Sequence, residues 1–354
     1  MSEREILFRA EVLTDFASRL LEGAGVPAQK ARLAADCLVD ANLRGVDSHG
    51  VQLLTFYVER LGRGEVDPLA DGHVVSESGG CLVYDGENGL GQVVSDVCCR
   101  HAVRLAGEHG LSFVVARDSN HFGAAAFWAQ RISAGGLIGV VMCNTSPIVP
   151  PWQGRDGRVG TNPICVSVPG DAGRPWLLDM ATTTVAVGKI FKAFMEGEPE
   201  IPAGWAMDTS GVPTTDTHTA YHGLLMPLGG YKGSGLGLLV EILCGVLGGG
   251  AMSTEVGGVK TVGRPARNSQ MFMGIDVRRF MPLDQFQQRM RWLVAEMKSA
   301  RPAHGYDEVL VAGDPEWRAE EIRRREGIPL SEGVWEKLKA AALKLGVAVP
   351  TGAG

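Results

Sequence analysis

The chain has 354 residues, 45% of them hydrophobic, with a mean hydropathy of +0.04, enough to bury a large core shared between two subdomains. Its 34 basic and 40 acidic side chains leave a net charge of −6 and a pI near 5.8. The basic residues are dispersed, which excludes a positive face for nucleic acid or for an anionic membrane, and a small molecule is the expected partner.

The start, MSEREILFRAEVL, is charged and lacks an apolar targeting core, so a cytoplasmic location is expected. Ile6, Phe8, Val12, Leu13, Phe16, Leu20 and Leu21 recur at helical spacing, and after a stop at Val26-Pro27 the pattern resumes through Ala31, Leu33, Ala34, Cys37, Leu38 and Ala41. A third stripe, Val51, Leu54, Tyr57, Val58 and Leu61, follows GVDSHG and puts His49 at a helix start. Unpaired N–H groups and the positive end of the dipole there favour an anion and lower a histidine pKa.

From about Val74 the rhythm turns to short β runs: Cys81–Tyr84, Leu111–Ala116, Leu137–Cys143 and Ile164–Val168, with helices over Gly91–His109 and Ala124–Ala134. Strand, RDSNHFG and helix together make a loop carrying His121, suited to a phosphate or carboxylate at the following helix N-terminus. The run GSGLGLLVEILCGVLGGG reads as a buried helix with Glu241, in its middle, paired to a helix end or to Lys232. Helical patterns return from Asp284 to Leu345, broken at Gly305 and at Gly313-Asp314-Pro315-Glu316. The expected division is a helical part over 1–72, an α/β part over 73–281 and a helical close over 282–354.

The 48 glycines cluster between apolar segments, as in tight turns around a ligand. The seven cysteines show no CxxC and read as reduced core residues. With neither HExxH nor CxxC pairs, no metal is expected. No GxGxxG follows a strand, and GxxxxGK[ST] is absent, which disfavours a Rossmann site and a P-loop.

What remains for chemistry is the pair of motifs around Ser48-His49 and His121. Each puts an imidazole among small polar and glycine neighbours, suited to proton transfer near neutral pH. A Ser/His hydrolase is the alternative of another class, with Ser48 served by His121 from a separate segment. Val46 stands where the GxSxG elbow has its first glycine, which argues against it. Asp208 reads as a turn former, Trp152, Trp176 and Trp205 as loop residues able to wall a pocket, and the remaining histidines as surface or packing groups.

LRGVDSHG, RDSNHFGAAAFWA, NTSP with PPW and GTNP, LLDMATTTVAVGKI, GWAMDTSGVPTTD, PLGGYKGSGLGLLVEILCGVLGGG and VLVAGDPEWRAEEIRRREGIP occur in this order between about Leu43 and Pro329. Together they resemble the malate/L-lactate dehydrogenase family, NAD(P)-dependent oxidoreductases distinct from the Rossmann-type enzymes, with ureidoglycolate and sulfolactate dehydrogenases and cyclic imine reductases among them. The resemblance implies an α/β fold with a non-Rossmann mixed-sheet dinucleotide-binding domain, a helical domain formed from both termini, and a homodimer. It implies hydride transfer between NAD or NADP and a small 2-hydroxy acid or its 2-oxo form, with cyclic imine reduction as the alternative and a non-catalytic ligand-binding relative as another.

Carried over residue by residue, the resemblance makes His121 the proton donor at the nicotinamide, with Phe122, Gly123 and Ala124 behind it along the cofactor. Ser48 and His49 belong to the substrate pocket, where His49 is partner or competitor to His121. Asn144, Thr145 and Ser146, Asp179, Met180 and Ala181, Gly229, Gly230, Lys232 and Gly233, and Gly313, Asp314 and Glu316 are the expected cofactor contacts. Thr161 and Asn162 of GTNP join the substrate side. Lys189 of VGKI is an added cation, at a position that is acidic in the imine-reductase branch, so an oxygen substrate is favoured. Two departures stand out. Leu53-Leu54 replaces a carboxylate-clamping arginine after SHG, leaving Arg44 or Arg60 to compensate, and Gln153 stands where relatives commonly carry glycine.

Overall fold

The computed structural model describes residues 5–350 apart from 172 and 260. Strand β1 (Glu5–Phe8) leads into helices α1 (Ala10–Gly23), α2 (Ala28–Leu43) and α3 (Leu54–Gly62). There follow β2 (His73–Ser78), β3 (Cys81–Asp85), α4 (Gly91–His109), β4 (Leu111–Ser119), α5 (Ala125–Ser133), β5 (Leu137–Cys143), β6 (Ile164–Asp171) and β7 (Arg174–Met180). An insertion carries α6 (Val187–Met195), the two-residue strands β8 (Ala206–Met207) and β9 (Pro213–Thr214), α7 (Thr217–Tyr221) and β10 (Leu224–Leu225). Helix α8 (Tyr231–Glu241), strand β11 (Asn268–Asp276), helices α9 (Leu283–Lys298) and α10 (Asp314–Glu326), strand β12 (Ile328–Ser331) and helix α11 (Glu332–Leu345) complete it.

The central sheet runs β2-β3-β4-β11-β5-β6-β7. Only β3 and β4 pair in parallel, across the α4 crossover, and β11 lies antiparallel to both β4 and β5. This is a mixed sheet without the successive parallel crossovers of a Rossmann domain. All four expected strands are present. The middle strand β11 escapes the sequence pattern because it opens with Asn268, Ser269 and Gln270, which are buried but polar.

Ile6 and Phe8, expected on a helix, instead sit on β1, which pairs antiparallel with β12, Phe8 opposite Ile328. The two chain ends thus share one core: Phe8 and Phe16 pack their rings on Trp335 at 4.5 and 5.5 Å, alongside Leu20, Leu330 and Leu338. The helical close is accordingly interrupted by β12. Among the cysteines Cys81 is exposed and the other six are buried.

The apolar run after Gly229 is not a buried helix. It is α8 continued by a π-helical turn, Ile242–Val246, and one side of it faces outward: Leu238, Ile242 and Val246 are 54, 45 and 52% exposed. No helix among the described residues is long and apolar enough to cross a membrane. Glu241 does not pair with Lys232, but one of its partners, Ser253, does open a helix, the 3-10 turn Ser253–Glu255. The Glu241 carboxylate accepts from Asn162 Nδ2 at 3.0 Å, Asn144 Nδ2 at 3.3 Å and the Ser253 N–H at 3.2 Å.

That carboxylate is the shared acceptor for two buried amides, so replacing it strands several donors at once. Glu241→Leu is expected to cost about 3 kcal/mol, read as a lower urea midpoint at unchanged slope.

Candidate active site

GVDSHG forms a 3-10 turn, Asp47–His49, closing against the end of α2. Asn42 holds it from inside: its amide donates to Asp47 Oδ1 at 2.6 Å and accepts the Val51 N–H at 2.8 Å. A Cβ on Gly50 would overlap that amide, so only glycine lets the turn seat. From outside, Arg323 of α10 donates from both terminal nitrogens to the Asp47 carboxylate, at 2.7 and 2.9 Å, and also to the Asn42 carbonyl. The turn presents Ser48 Oγ at 2.9 Å from His49 Nδ1. Ser48 is therefore partnered by its neighbour and not by His121. Burial lowers the His49 pKa, where a helix dipole was the expected cause.

His121 reaches the same cleft from the sheet. Between Ala116 and Ser119, β4 carries one residue more than β11, and Asp118 has φ +46°. This bulge swings the following loop off the strand line. The loop then lies against the start of α4, where a Cβ on Gly91 would overlap the carbonyls of Asn120 and His121. Asn120 Nδ2 donates to the Gly89 and Asn88 carbonyls at 2.9 and 3.0 Å, and Trp128 Nε1 donates to the Phe122 carbonyl at 2.8 Å. The loop is thus rigid on both flanks of the histidine.

The imidazole is held through Nδ1. Gly123 N–H donates to it at 3.2 Å, and the Tyr57 hydroxyl of α3 lies 2.7 Å away. Tyr57 in turn takes a hydrogen bond from Gln92 Nε2 at 3.1 Å. An amide N–H can only donate, so Nδ1 is an acceptor and the neutral ring carries its proton on Nε2. The rings of His49 and His121 stack with centroids 5.7 Å apart and planes at 24°. Surrounding protein, with further effects of His49 and Arg60, lowers the His121 pKa to about 3.

A family model described as malate/L-lactate dehydrogenase matches residues 8–339. The chain is 36% identical to the malate dehydrogenase of Pyrococcus horikoshii over 98% of each chain, and 35% identical to the L-sulfolactate dehydrogenase of Methanocaldococcus jannaschii over 93% of this chain and 94% of that one. The chain belongs to the malate/L-lactate dehydrogenase family. The solved Pyrococcus enzyme superposes with a TM-score of 0.91 at 34% identity over 98% of this chain and 97% of that one. A Δ1-piperideine-2-carboxylate reductase from Pseudomonas syringae superposes at 0.84 with 28% identity over 95% of this chain and 99% of that one. As a family member the chain is a pyridine-nucleotide-dependent oxidoreductase with the non-Rossmann mixed sheet, and the hydrolase reading falls away.

Several expected contact residues are committed elsewhere. Asn144 is buried, holding Ala251 O at 2.9 Å and the Ser269 N–H at 2.8 Å, and Asn162 spends its amide on Glu241, the Gly237 carbonyl and the Thr145 N–H. The side-chain amides of both are thus committed within the protein. They brace the sheet end beneath Thr145 and Thr161, whose hydroxyls lie 3.2 Å apart, while Ser146 lies beside Gly258. Arg44, 3% exposed, lies over the Trp317 ring at 4.5 Å with Glu320 at 3.9 Å, and its guanidinium nitrogens make no hydrogen bond to the described residues. Arg60 is equally buried and donates to the carbonyls of Gly258 and Thr261 at 2.9 and 2.8 Å. Leu53 and Leu54 point into the core.

Other groups stay open. Asp179 accepts the Ala126 N–H at 2.9 Å, so a carboxylate of the protein already caps α5, and that helix start is not a free phosphate site. Solvent reaches Asp179, yet enclosing protein raises its carboxyl to about 6, with Glu316 adding in the same direction. Asp314 is tied to Lys298 Nζ at 2.8 Å and to the Val311 N–H at 2.9 Å, opening α10 after Gly313 at φ +97°. Gly229 and Gly230 have φ of +57° and +68°, and a Cβ on Gly230 would meet the Trp152 ring. Lys232 is exposed just after them, while Gly233 packs against Leu228. Lys189 is exposed one residue past Gly188, whose Cα faces Ser48. Gln153 adopts φ +65°, the left-handed form that glycine takes without cost. Asp208 accepts the Ser210 and Val212 N–H groups at 2.8 Å and is a turn former, and Trp176 lies on β7 rather than in a loop.

Tyr57, Gln92, Gly91, Asn42 and Arg323 were not legible as site residues. Tyr57 has the spacing of a core stripe, Arg323 is one of three consecutive arginines within VLVAGDPEWRAEEIRRREGIP, and Gln92, Gly91 and Asn42 carry no motif.

The lowered His121 pKa makes a signed prediction. Unfolded, the ring takes a proton near pH 6.5; folded, not until about pH 3. Wild type should therefore lose stability relative to His121→Gln as pH falls through that window. Asp40 and Asp179, both raised to about 6, titrate in the opposite sense in both proteins. The difference between paired urea titrations is thus the diagnostic quantity, and a constant difference would contradict the assignment.

Proposed function

We propose that the chain interconverts a small 2-hydroxy acid and its 2-oxo acid, with His121 exchanging the proton at the substrate oxygen. The observation that carries this is the two-point tether at Nδ1, which fixes the ring and leaves Nε2 as the nitrogen free to exchange a proton. A bound NAD or NADP supplies or takes the hydride. Toward that group, Asp179 offers a carboxylate oxygen to ribose hydroxyls, its other oxygen being spent on Ala126. Lys232 offers an ammonium to the phosphates, beside a glycine turn whose backbone a side chain would crowd. These donor types fit a dinucleotide, and Met180, Ala181 and the 313–316 segment complete that reading.

In reduction, Nε2 of a ring that also holds Nδ1–H gives its proton to the oxygen as negative charge develops there; in oxidation the same nitrogen, bare beside Nδ1–H, takes it back. Ser48 orients His49, whose ring backs His121 across the stack and lines the substrate side with Thr161. With Arg44 and Arg60 buried, Lys189 is the cation we assign to the substrate carboxylate. Cyclic imine reduction is the second reading, carried by the likeness to the Pseudomonas reductase; the lysine at position 189 favours oxygen over imine nitrogen.

We further propose a cytoplasmic homodimer. The outward row Leu238, Ile242 and Val246 supports this, because a contiguous apolar helix face is costly to leave in water. Ile242→Glu should shift the mass measured by light scattering to that of one chain.

The activity test follows NADH and NADPH oxidation with pyruvate, oxaloacetate, sulfopyruvate and a cyclic imine. Turnover with a 2-oxo acid is expected. His121→Ala should lower it by about 100-fold to 10,000-fold while dinucleotide binding persists. Unchanged turnover in that variant would remove His121 from the mechanism.

A further inference from the structure

The hydrogen bonds behind His121 suit only one of the ring's states. Gln92 Nε2–H donates to Tyr57, and Tyr57 O–H donates to Nδ1. Exchanging a proton at Nε2 requires Nδ1 to carry one throughout, since a ring stripped of both protons is inaccessible in water. Nδ1–H then needs an acceptor. The Tyr57 oxygen is in place, provided its own O–H turns to another acceptor and the Gly123 N–H, now 3.2 Å from Nδ1, releases it.

That acceptor exists. Gln92 is fully buried, and its Oε1 makes no hydrogen bond. A buried amide oxygen without a partner costs about 1–3 kcal/mol, so its presence calls for a reason. Gln92 lines a narrow cavity with Tyr57, Asn120 and His121, and Asn120 Oδ1 is also buried and unpartnered. The cavity holds about one water.

We propose that Gln92 is a positioning residue whose amide turns over to reverse the chain, so that Nδ1–H donates to Tyr57 O and Tyr57 O–H donates to Gln92 Oε1. The turn moves no proton between residues. In oxidation the substrate hydroxyl proton goes to Nε2 of a ring already holding Nδ1–H; in reduction it returns from Nε2 to the oxygen, and Nδ1–H stays. The proton on Nδ1 comes from solvent, and before oxidation the one on Nε2 leaves to solvent. The charged or titratable groups around the ring are His49 from the 3-10 turn, Arg60 from α3, and Cys37 of α2 beside Tyr57. None of these is an acceptor at Nδ1, which leaves the Tyr57–Gln92 pair to provide it.

The inference rests on His121 as the proton-exchanging group, and the experiment separates the two. In protein labelled with 15N at histidine, ring shifts report which nitrogen is protonated, without any turnover. Ligand-free wild type should show Nε2–H. Gln92→Glu, which supplies only acceptors, should move His121 to Nδ1–H or raise its midpoint by about one pH unit or more. Gln92→Met and Tyr57→Phe should keep Nε2–H at every pH where the protein is folded and lower kcat by about 10-fold to 100-fold with little change in dinucleotide KM. Tyr57→Phe keeps the test open if Gln92→Met does not fold. Equal losses in Gln92→Glu and Gln92→Met with an unmoved ring titration would overturn the reversal. Turnover surviving in His121→Ala would instead overturn the proton-donor reading while leaving the ring shifts of the Gln92 variants interpretable.

Discussion

The hydrogen bond between Tyr57 and His121, with that from Cys37 Sγ to the Phe122 carbonyl beside it, joins two parts of the molecule at the cleft. Tyr57 belongs to the helical core built from the two chain ends, and His121 to a loop leaving the central sheet. A hydrogen bond of 2.7 Å between buried groups tolerates little relative movement, so the helical part and the sheet must dock in one position for the imidazole to keep its tautomer. Gln92, at the first turn of α4, closes the triangle. The same helix start makes room for the loop through Gly91, because any side chain there would displace the two carbonyls on either side of the Asn120–His121 bond.

A second tether works from the other end of the chain. Arg323 reaches the GVDSHG turn across 276 positions of sequence and takes both oxygens of Asp47. Bidentate pairing fixes direction as well as distance, and the turn has little else on its outer side. The stacked imidazoles therefore depend on two unrelated contacts, one setting each ring. The pairing of β1 with β12 explains how α10 comes to be there: the strand just after α10 is zipped to the strand just before α1.

The sequence made the alternation of strands and helices plain wherever an apolar run had a clean period, as at Leu111–Ala116 and Leu137–Cys143. It failed where tertiary context overrides period. β11 opens with three polar residues that are buried with hydrogen bonds to Asn144 and to the Asn120 carbonyl, and β1 is too short to show alternation. The two histidine motifs were legible because imidazoles among glycines are unusual. Their supports were not, because Tyr57 counts as one more apolar residue on a helix face and Arg323 as one more charge in a basic run. Asn144 and Asn162 erred the other way: polar residues in a motif suggested contact with a ligand, whereas both are braces for Glu241.

Two stacked imidazoles 5.7 Å apart also constrain where charge can reside. A charge on His49 penalises one on His121, adding to the larger effect of burial. In the ligand-free cleft a charge on either ring is opposed, because protein surrounds both rings and no carboxylate among their described contacts compensates it. An incoming carboxylate reverses the balance: a negative group within a few ångströms favours the charged ring by the same Coulomb interaction that His49 and Arg60 now exert in the opposite sense. A neutral analogue lacking the carboxylate would bring no such attraction and leave that penalty in place.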